Sequence, residues 1–347
     1  MGTIEIRNRL SRVTWNSVLL VLIGALVLAQ GCKHARASAE AGQPLSARTN
    51  MNDSAPGCHS VGEDVTATSP VEPASRAADP PPGMRSNNML FIKGGTFIMG
   101  TAAGLPVEGP EHEVSVKSFW MDEHEVTVSQ FAEFVDAAGY LTDAERFGWS
   151  GVFDVQAGAW KRVKGAGWRH PDGPATSARA DEPVTQVSWS DAAAYAAWAK
   201  KRLPTEAEFE YAARGGLSGK RYAWGDALTP NGMYMANFWQ GSFPTRDLGN
   251  DGFNGRAPVG SFAPNGYGLY DITGNVWEWC ADWFEDGYYK ISSSVDPAGP
   301  STGETRVIRG GSWLCSDNYC TGYRVAARNH TAADSGLNNL GFRCVRD

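Results

Sequence analysis

Downstream of Gly216 the chain runs for about 130 residues with no helical period, dense instead in Gly, Asn, Asp, Pro and Trp. A backbone this irregular cannot hold itself by repeated ladders. It has to be pinned by large side chains and by turn residues that accept unusual dihedrals. The composition supplies both, with 40 Gly and 13 Trp, 12 of the Trp lying after residue 88. These features point to one α+β domain of about 260 residues, residues 89–347, with a few helices near its start and long ordered loops after them.

The helical and strand signals sit where that reading needs them. "MLFIKGGTFIMG" places two apolar runs around Gly94-Gly95, a hairpin signal, and "EHEVSVKSFWMDEHEV" alternates Val114, Val116 and Phe119 against polar residues as a strand does. Ser129 is the expected cap of a helix with Phe131, Phe134 and Val135 on one face and Gly139 as its stop. Ser190 is expected to cap a second helix, "SDAAAYAAWAKKR". Thr205 and Glu208 form a capping-box pattern opening a third, which Gly215 ends.

The first 88 residues belong to something else. Arg7, Arg9 and Arg12 precede the apolar run Val18 to Ala29, the layout of an export signal and too short for a membrane span, which takes about 20 residues. The run ends in "LAQGC". Three outcomes fit: a lipoprotein lipidated at Cys32, cleavage after "RASA" (Arg36 to Ala39), or an uncleaved anchor. Each exports the domain to the periplasm or a membrane surface, and each permits disulfides. Residues 33–88 are rich in Ala, Ser, Pro and Gly and too poor in apolar surface to order themselves, so they read as a tether, with Cys58 a free or adventitious thiol. The net charge of −7 argues against a nucleic-acid partner. A monomer is expected, meeting the membrane only through its N-terminus.

"RGGSWLCSDNYCTGYRVAARN" sets Cys315 and Cys320 five residues apart across the turn-forming "SDN". Such a pair can form a structural disulfide, cycle as a redox pair, or bind a soft metal. The ring that a disulfide would close is short, so a bridge contributes less than one spanning a long loop. The six His show neither HxxxH nor HxxH spacing, which disfavours a His-ligated zinc or iron site. Two thiolates without a histidine suit Cu(I). His112, His124 and His330 read as local hydrogen-bonding residues.

"PVTQVSWSDAAAYAAWAKKRLPTEAEFEYAARGG", "NGYGLYDITGNVWEW", "RGGSW" and "NNLGFRC" resemble the sulfatase-modifying-factor family, in that family's order and over about three quarters of the chain. The cysteine pair with Ser312, Tyr319 and "NYCTGYRVAARN" resembles its formylglycine-generating members. The resemblance implies a variant C-type-lectin-like fold, loop-rich with little regular secondary structure. It implies an oxidoreductase acting on a sulfur group with O2 as acceptor, which turns the cysteine of a sulfatase CxPxR motif into Cα-formylglycine. It also implies a bis-thiolate Cu(I) site at Cys315 and Cys320, with Cys320 the more exposed and the substrate cysteine a third sulfur ligand. A cofactor is chemically required, since no side chain oxidises an unactivated carbon. Ser312, Tyr319, Trp277 and Asn339 match positions around that site. Arg324 and Arg328 read as structural ion-pair partners.

The resemblance further implies two structural Ca2+ sites. One is Asn237, the Phe238 carbonyl, Asp251 and the Phe253 carbonyl. The other is Asp271, the Gly274 and Val276 carbonyls, and Glu278. Carboxylates mixed with backbone carbonyls in Gly-rich loops suit this hard ion, though the same residues also build plain turns. Val325 and Ala213 stand where some relatives carry cysteines, so Cys344 lacks that partner and a Cys280–Cys344 bridge is the remaining expectation. The partner implied is an unfolded sulfatase chain. The competing reading is a non-catalytic exported binding module on the same scaffold. A sulfoxide synthase is disfavoured, because the three-histidine iron site and extra helical domain of such relatives have no counterpart here.

Overall fold

The computed structural model describes residues 80–347. The signal-like run, Cys32, Cys58 and most of the tether lie outside the described residues. In chain order the strands are β1 (Arg85–Ser86), β2 (Met89–Ile92), β3 (Gly95–Met99), β4 (His112–Val116), β5 (Phe119–Asp122), β6 (Trp149–Asp154) and β7 (Ala159–Lys164). After the helices come β8 (Trp277–Trp283), β9 (Thr305–Arg309), β10 (Arg328–Ala332), β11 (Leu340–Gly341) and β12 (Val345–Arg346). They form a β1-β2-β5-β12 sheet, a β10-β9-β8-β11 sheet, and the two-stranded pairs β3-β4 and β6-β7. The helices are α1 (Val128–Ala138), α2 (Asp143–Phe147), α3 (Trp189–Trp198) and α4 (Glu206–Arg214). Among the described residues no α-helix follows Arg214, as the lack of a helical period predicts.

The hairpin expected at Gly94-Gly95 is not there. β2 pairs with β5 and β3 with β4, so the chain leaves one sheet at those glycines and enters another. The tight turn lies earlier, at Asn87 and Asn88, whose φ values of 52° and 60° suit a two-residue hairpin loop. It pairs Arg85 with Leu90, so ordered backbone begins inside the segment read as tether. The single strand expected over "EHEVSVKSFWMDEHEV" is two, β4 and β5, in different sheets.

Two helix caps move by two residues. Thr127, not Ser129, caps α1, because its Oγ1 accepts from Gln130 N and Gln130 Oε1 accepts from the Thr127 N–H. Ser188, not Ser190, caps α3 through the same reciprocal pair with Asp191. The side chain three residues on decides the cap, and Gln130 and Asp191 stand three residues after Thr127 and Ser188, not after Ser129 and Ser190. α2 was not expected, although Thr142 and Glu145 spell the same box. The Thr205–Glu208 box and the Gly215 stop of α4 are as expected.

The core has two main apolar clusters. In one, Phe131 meets Trp168 and Phe342 edge-on and stacks on Tyr195. In the other, Phe209 of α4 packs with Val307, Leu90 and Met121. Cys280 belongs to the second cluster and Cys344 to the first. Both are buried and unbridged, so the expected Cys280–Cys344 disulfide is not formed. Burial pushes both thiols well up, which keeps them protonated and apolar in character.

α4 carries Glu206 and Glu210 one turn apart, both buried, facing β9 of the second sheet. Arg309 lies between them, at 3.1 Å from Glu206 and 2.5 Å from Glu210. Arg328 grips Glu206 with Nε and Nη2, each at 2.7 Å, and Arg214 meets Glu210 at 2.6 Å. Burial pushes the Glu210 carboxyl up, but Arg309 and Arg214 outweigh it and hold the group below its ordinary value. Removing one partner from such a set leaves buried charge uncompensated. Glu206→Gln is expected to cost about 3–5 kcal/mol in urea unfolding, far more than an exposed Glu→Gln change such as Glu113→Gln.

Candidate active site

The second sheet leads directly to the cysteine pair. β9 ends at Arg309, and Gly310 and Gly311 follow with φ of 90° and 78°. These left-handed residues turn the chain from the strand into Ser312. Ser312 is fully buried, and its Oγ accepts from Asn339 Nδ2 at 2.9 Å. Asn339 sits just before β11, where its carbonyl accepts from Trp277 N of β8 at 2.9 Å. The predicted residues Ser312, Asn339 and Trp277 are therefore brought together by the parallel β8–β11 register.

Cys315 lies immediately above. Its N–H donates to the Ser312 carbonyl and its own carbonyl accepts from Trp239 N, each at 2.9 Å. Ser316 to Asn318 then make the expected turn, and Cys320 returns to Cys315. The two sulfurs are joined as a disulfide, with Cα atoms 4.9 Å apart. Cys315 is fully buried, whereas Cys320 is partly exposed and lines a groove of about 530 Å3.

Trp277 and Tyr319 line the same groove. Tyr319 is 61% exposed and lies flat on Phe243, with ring centroids 4.2 Å apart. Arg324 and Arg328 also face the groove, but both are committed to ion pairs, as expected. Arg324 is bidentate on the buried Glu108 at 2.7 and 2.6 Å.

Several residues here carried no readable signal in the sequence. Glu108 is 216 positions from the arginine it binds. Tyr323 is buried and donates its hydroxyl hydrogen to Asp317, tying down the turn between the cysteines. Burial, then Asp317, push the Tyr323 phenol up and keep it a donor. Gly322 closes the floor of the groove: a Cβ there would lie 2.6 Å from Trp277 Cζ2 and 2.8 Å from Cys315 Sγ.

The donor sets can be tested against the ions the sequence implies. Among the described residues, no three His, Cys, Asp or Glu side chains converge on a metal position. Once reduced, Cys315 and Cys320 offer two soft donors with no competing hard ligand, which fits Cu(I).

The residues of the first oxygen set lie in one hydrogen-bonded turn. Asp251 accepts from Phe238 N and Phe253 N, each at 3.0 Å, and Asn237 donates to the Gly255 carbonyl. Gln240 Nε2 donates to both Asp251 Oδ2 and the Phe238 carbonyl, so two predicted ligand oxygens already share one neutral amide donor.

The second set departs from expectation. Both Glu278 oxygens turn to Arg343, at 2.7 and 2.8 Å. The unpartnered buried oxygens are Asp271 Oδ1 and Oε2 of Glu125, a residue absent from the predicted set. Three buried carboxyls thus face one arginine. Burial, then Asp271, push Glu125 well up; burial also raises Glu278 and lifts Asp271 to about 6. Once ionised, these oxygens are donors of the kind a hard cation takes. Gly274 and Val276 flank Asn275, whose amide bonds Glu125 at 3.1 Å and Asn237 at 3.1 Å, joining the two neighbourhoods.

Residues 75–347 match the sulfatase-modifying factor enzyme 1-like domain. The chain is 51% identical to a formylglycine-generating enzyme of Streptomyces coelicolor, over 82% of this chain and 96% of that one. It is 44% identical to the inactive Cα-formylglycine-generating enzyme 2 of Mus musculus, over 74% of this chain and 85% of that one. Among solved structures it resembles PvdO from Pseudomonas aeruginosa, at a TM-score of 0.61 and 27% identity, covering 77% of this chain and 99% of that one.

Gly322→Ala tests the packing around the pair. The added methyl must move either the Trp277 ring or the Cys315 sulfur, an overpacking expected to cost about 1–3 kcal/mol in urea. An unchanged midpoint would show that the floor of the groove is looser than this geometry requires.

Proposed function

Because the chain belongs to the sulfatase-modifying-factor enzyme family and keeps a paired Cys315 and Cys320 at a groove, we propose that it is an exported, copper-dependent formylglycine-generating oxidase. Its substrate would be the cysteine of a CxPxR motif in an unfolded sulfatase, oxidised to Cα-formylglycine with O2. The observation that carries this reading is the asymmetry of the pair, with one sulfur buried on the Ser312–Asn339 support and the other facing the groove.

Each nearby residue has work in that reaction. Cys315 and Cys320 would hold Cu(I), which supplies the electron transfer to O2 that no side chain provides. Ser312 and Asn339 support Cys315 from beneath, and the unpartnered Asn339 Oδ1 offers a hydrogen-bond acceptor for a water. Trp277 walls the groove and keeps water from the buried sulfur. Tyr319, held flat by Phe243, presents its phenol at the entrance. The N-terminal export signal, with lipidation at Cys32 as one outcome, would place this chemistry outside the cytoplasm, where substrates arrive unfolded.

A non-catalytic module is the second reading. It is favoured by the closed disulfide, which leaves no free thiol at the groove. The two separate in one assay: reduced, Cu(I)-loaded protein, incubated aerobically with a CxPxR peptide and read by mass spectrometry. Conversion of cysteine to aldehyde, abolished in Cys320→Ser, supports the oxidase. No conversion with copper loading confirmed leaves the module.

Calcium would serve structure. With its carboxyl lifted to about 6, apo Asp271 binds a proton more readily folded than unfolded. Apo stability from this group is therefore present below the unfolded value and lost as pH rises through about 6. Ca2+ takes the ionised form, so the rise in Tm on adding Ca2+ is expected to be larger at pH 7 than at pH 5. Asp271→Asn should flatten that difference.

A further inference from the structure

Among the described residues β10 ends its sheet, with β9 on one side and no strand on the other. Its first residues, Arg328, Asn329 and His330, line the same groove as Cys320 and Trp277. The His330 N–H donates at 2.8 Å to the side-chain oxygen of Asn329, its own neighbour, rather than to β9. That donor therefore points to the open edge, and an amide oxygen sits where the carbonyl of an adjoining strand would lie. Asn329 and His330 are both exposed. The wall behind them is firm: the His330 ring stacks on Phe284 at 3.9 Å, and the Arg328 guanidinium lies 4.8 Å from the same ring while gripping Glu206.

We propose that the polypeptide substrate docks as an added strand on the free edge of β10, its backbone displacing the Asn329 side chain from the His330 N–H. The inference rests on the reading that the substrate is an unfolded polypeptide. An exposed strand edge is a template for an extended chain, and main-chain bonds give affinity without demanding one sequence. That is what an enzyme needs if it must accept different sulfatases around one short motif. Alternate substrate residues would point to the Phe284–His330 wall and away from it, and alternate substrate amides would bond to β10.

The test uses the full-length protein and a fluorescent peptide carrying SxPxR, which cannot be converted, N-methylated at one position at a time. Methylation is expected to weaken binding about tenfold at every second position and little at those between. His330→Pro deletes the donor at an edge position that tolerates proline, and is expected to weaken binding about tenfold more than His330→Ala, which keeps it. Asn329→Ala, freeing the donor, is expected to tighten binding. No alternation along the peptide, or equal losses in the two His330 variants, overturns strand docking. The N-methyl series decides the matter alone if His330→Pro does not fold. Conversion of the matching cysteine peptide is read separately. Conversion without alternation sinks the docking and leaves the oxidase. Alternation without conversion does the reverse.

Discussion

Glu206 holds both feet of the loop that carries Cys315 and Cys320. Arg309 enters that loop and Arg328 leaves it, and both end on the same buried carboxylate. Everything between them, including Ser312, both cysteines and the Tyr323–Asp317 tie, is a long excursion with almost no regular structure. Such a segment has a large ordering entropy to overcome. The two arginines reduce it by fixing the ends, and α4 supplies the anchor because the four-residue spacing of Glu206 and Glu210 puts both on one helix face. Buried ion pairs add little net stability, but removing one partner is costly, so the set enforces one arrangement.

The same logic recurs where the loops have no helix to lean on. Glu125, Asp271 and Glu278 around Arg343 repeat the theme with the sign unbalanced. Asn275 links this cluster to the Asn237 turn, so the two oxygen-rich neighbourhoods are one hydrogen-bonded body. Tryptophan plays the apolar counterpart. The Trp239 backbone N–H donates to the Cys315 carbonyl, and Trp279 fills the core with its indole N–H donating to the Val187 carbonyl.

Much of this was legible in the sequence. The fold class, an α+β formylglycine-generating-enzyme fold of the C-type-lectin-like kind, followed from segments whose order and wording leave little freedom. The α4 box and the absence of later helices were plain because local chemistry decides them. The errors have a common cause. The Gly94-Gly95 junction looks like a hairpin locally, and only the non-local pairing of β2 with β5 shows otherwise. Ser129 and Ser190 are acceptable caps until the residue three positions on is weighed. At the site, Ser312, Asn339, Trp277 and the cysteines were readable as a group, whereas Glu108, Phe243 and Glu125 act across gaps of more than 70 residues that no local pattern spans.

The unequal exposure of Cys315 and Cys320 also dictates an order of arrival. Any outside thiol or disulfide entering the groove meets Cys320 first, and the sulfur behind it can be reached only through that encounter. A small-molecule adduct formed on Cys320 therefore has a neighbouring thiol positioned to expel it by exchange. That exchange re-forms the Cys315–Cys320 disulfide and releases the adduct as a thiol.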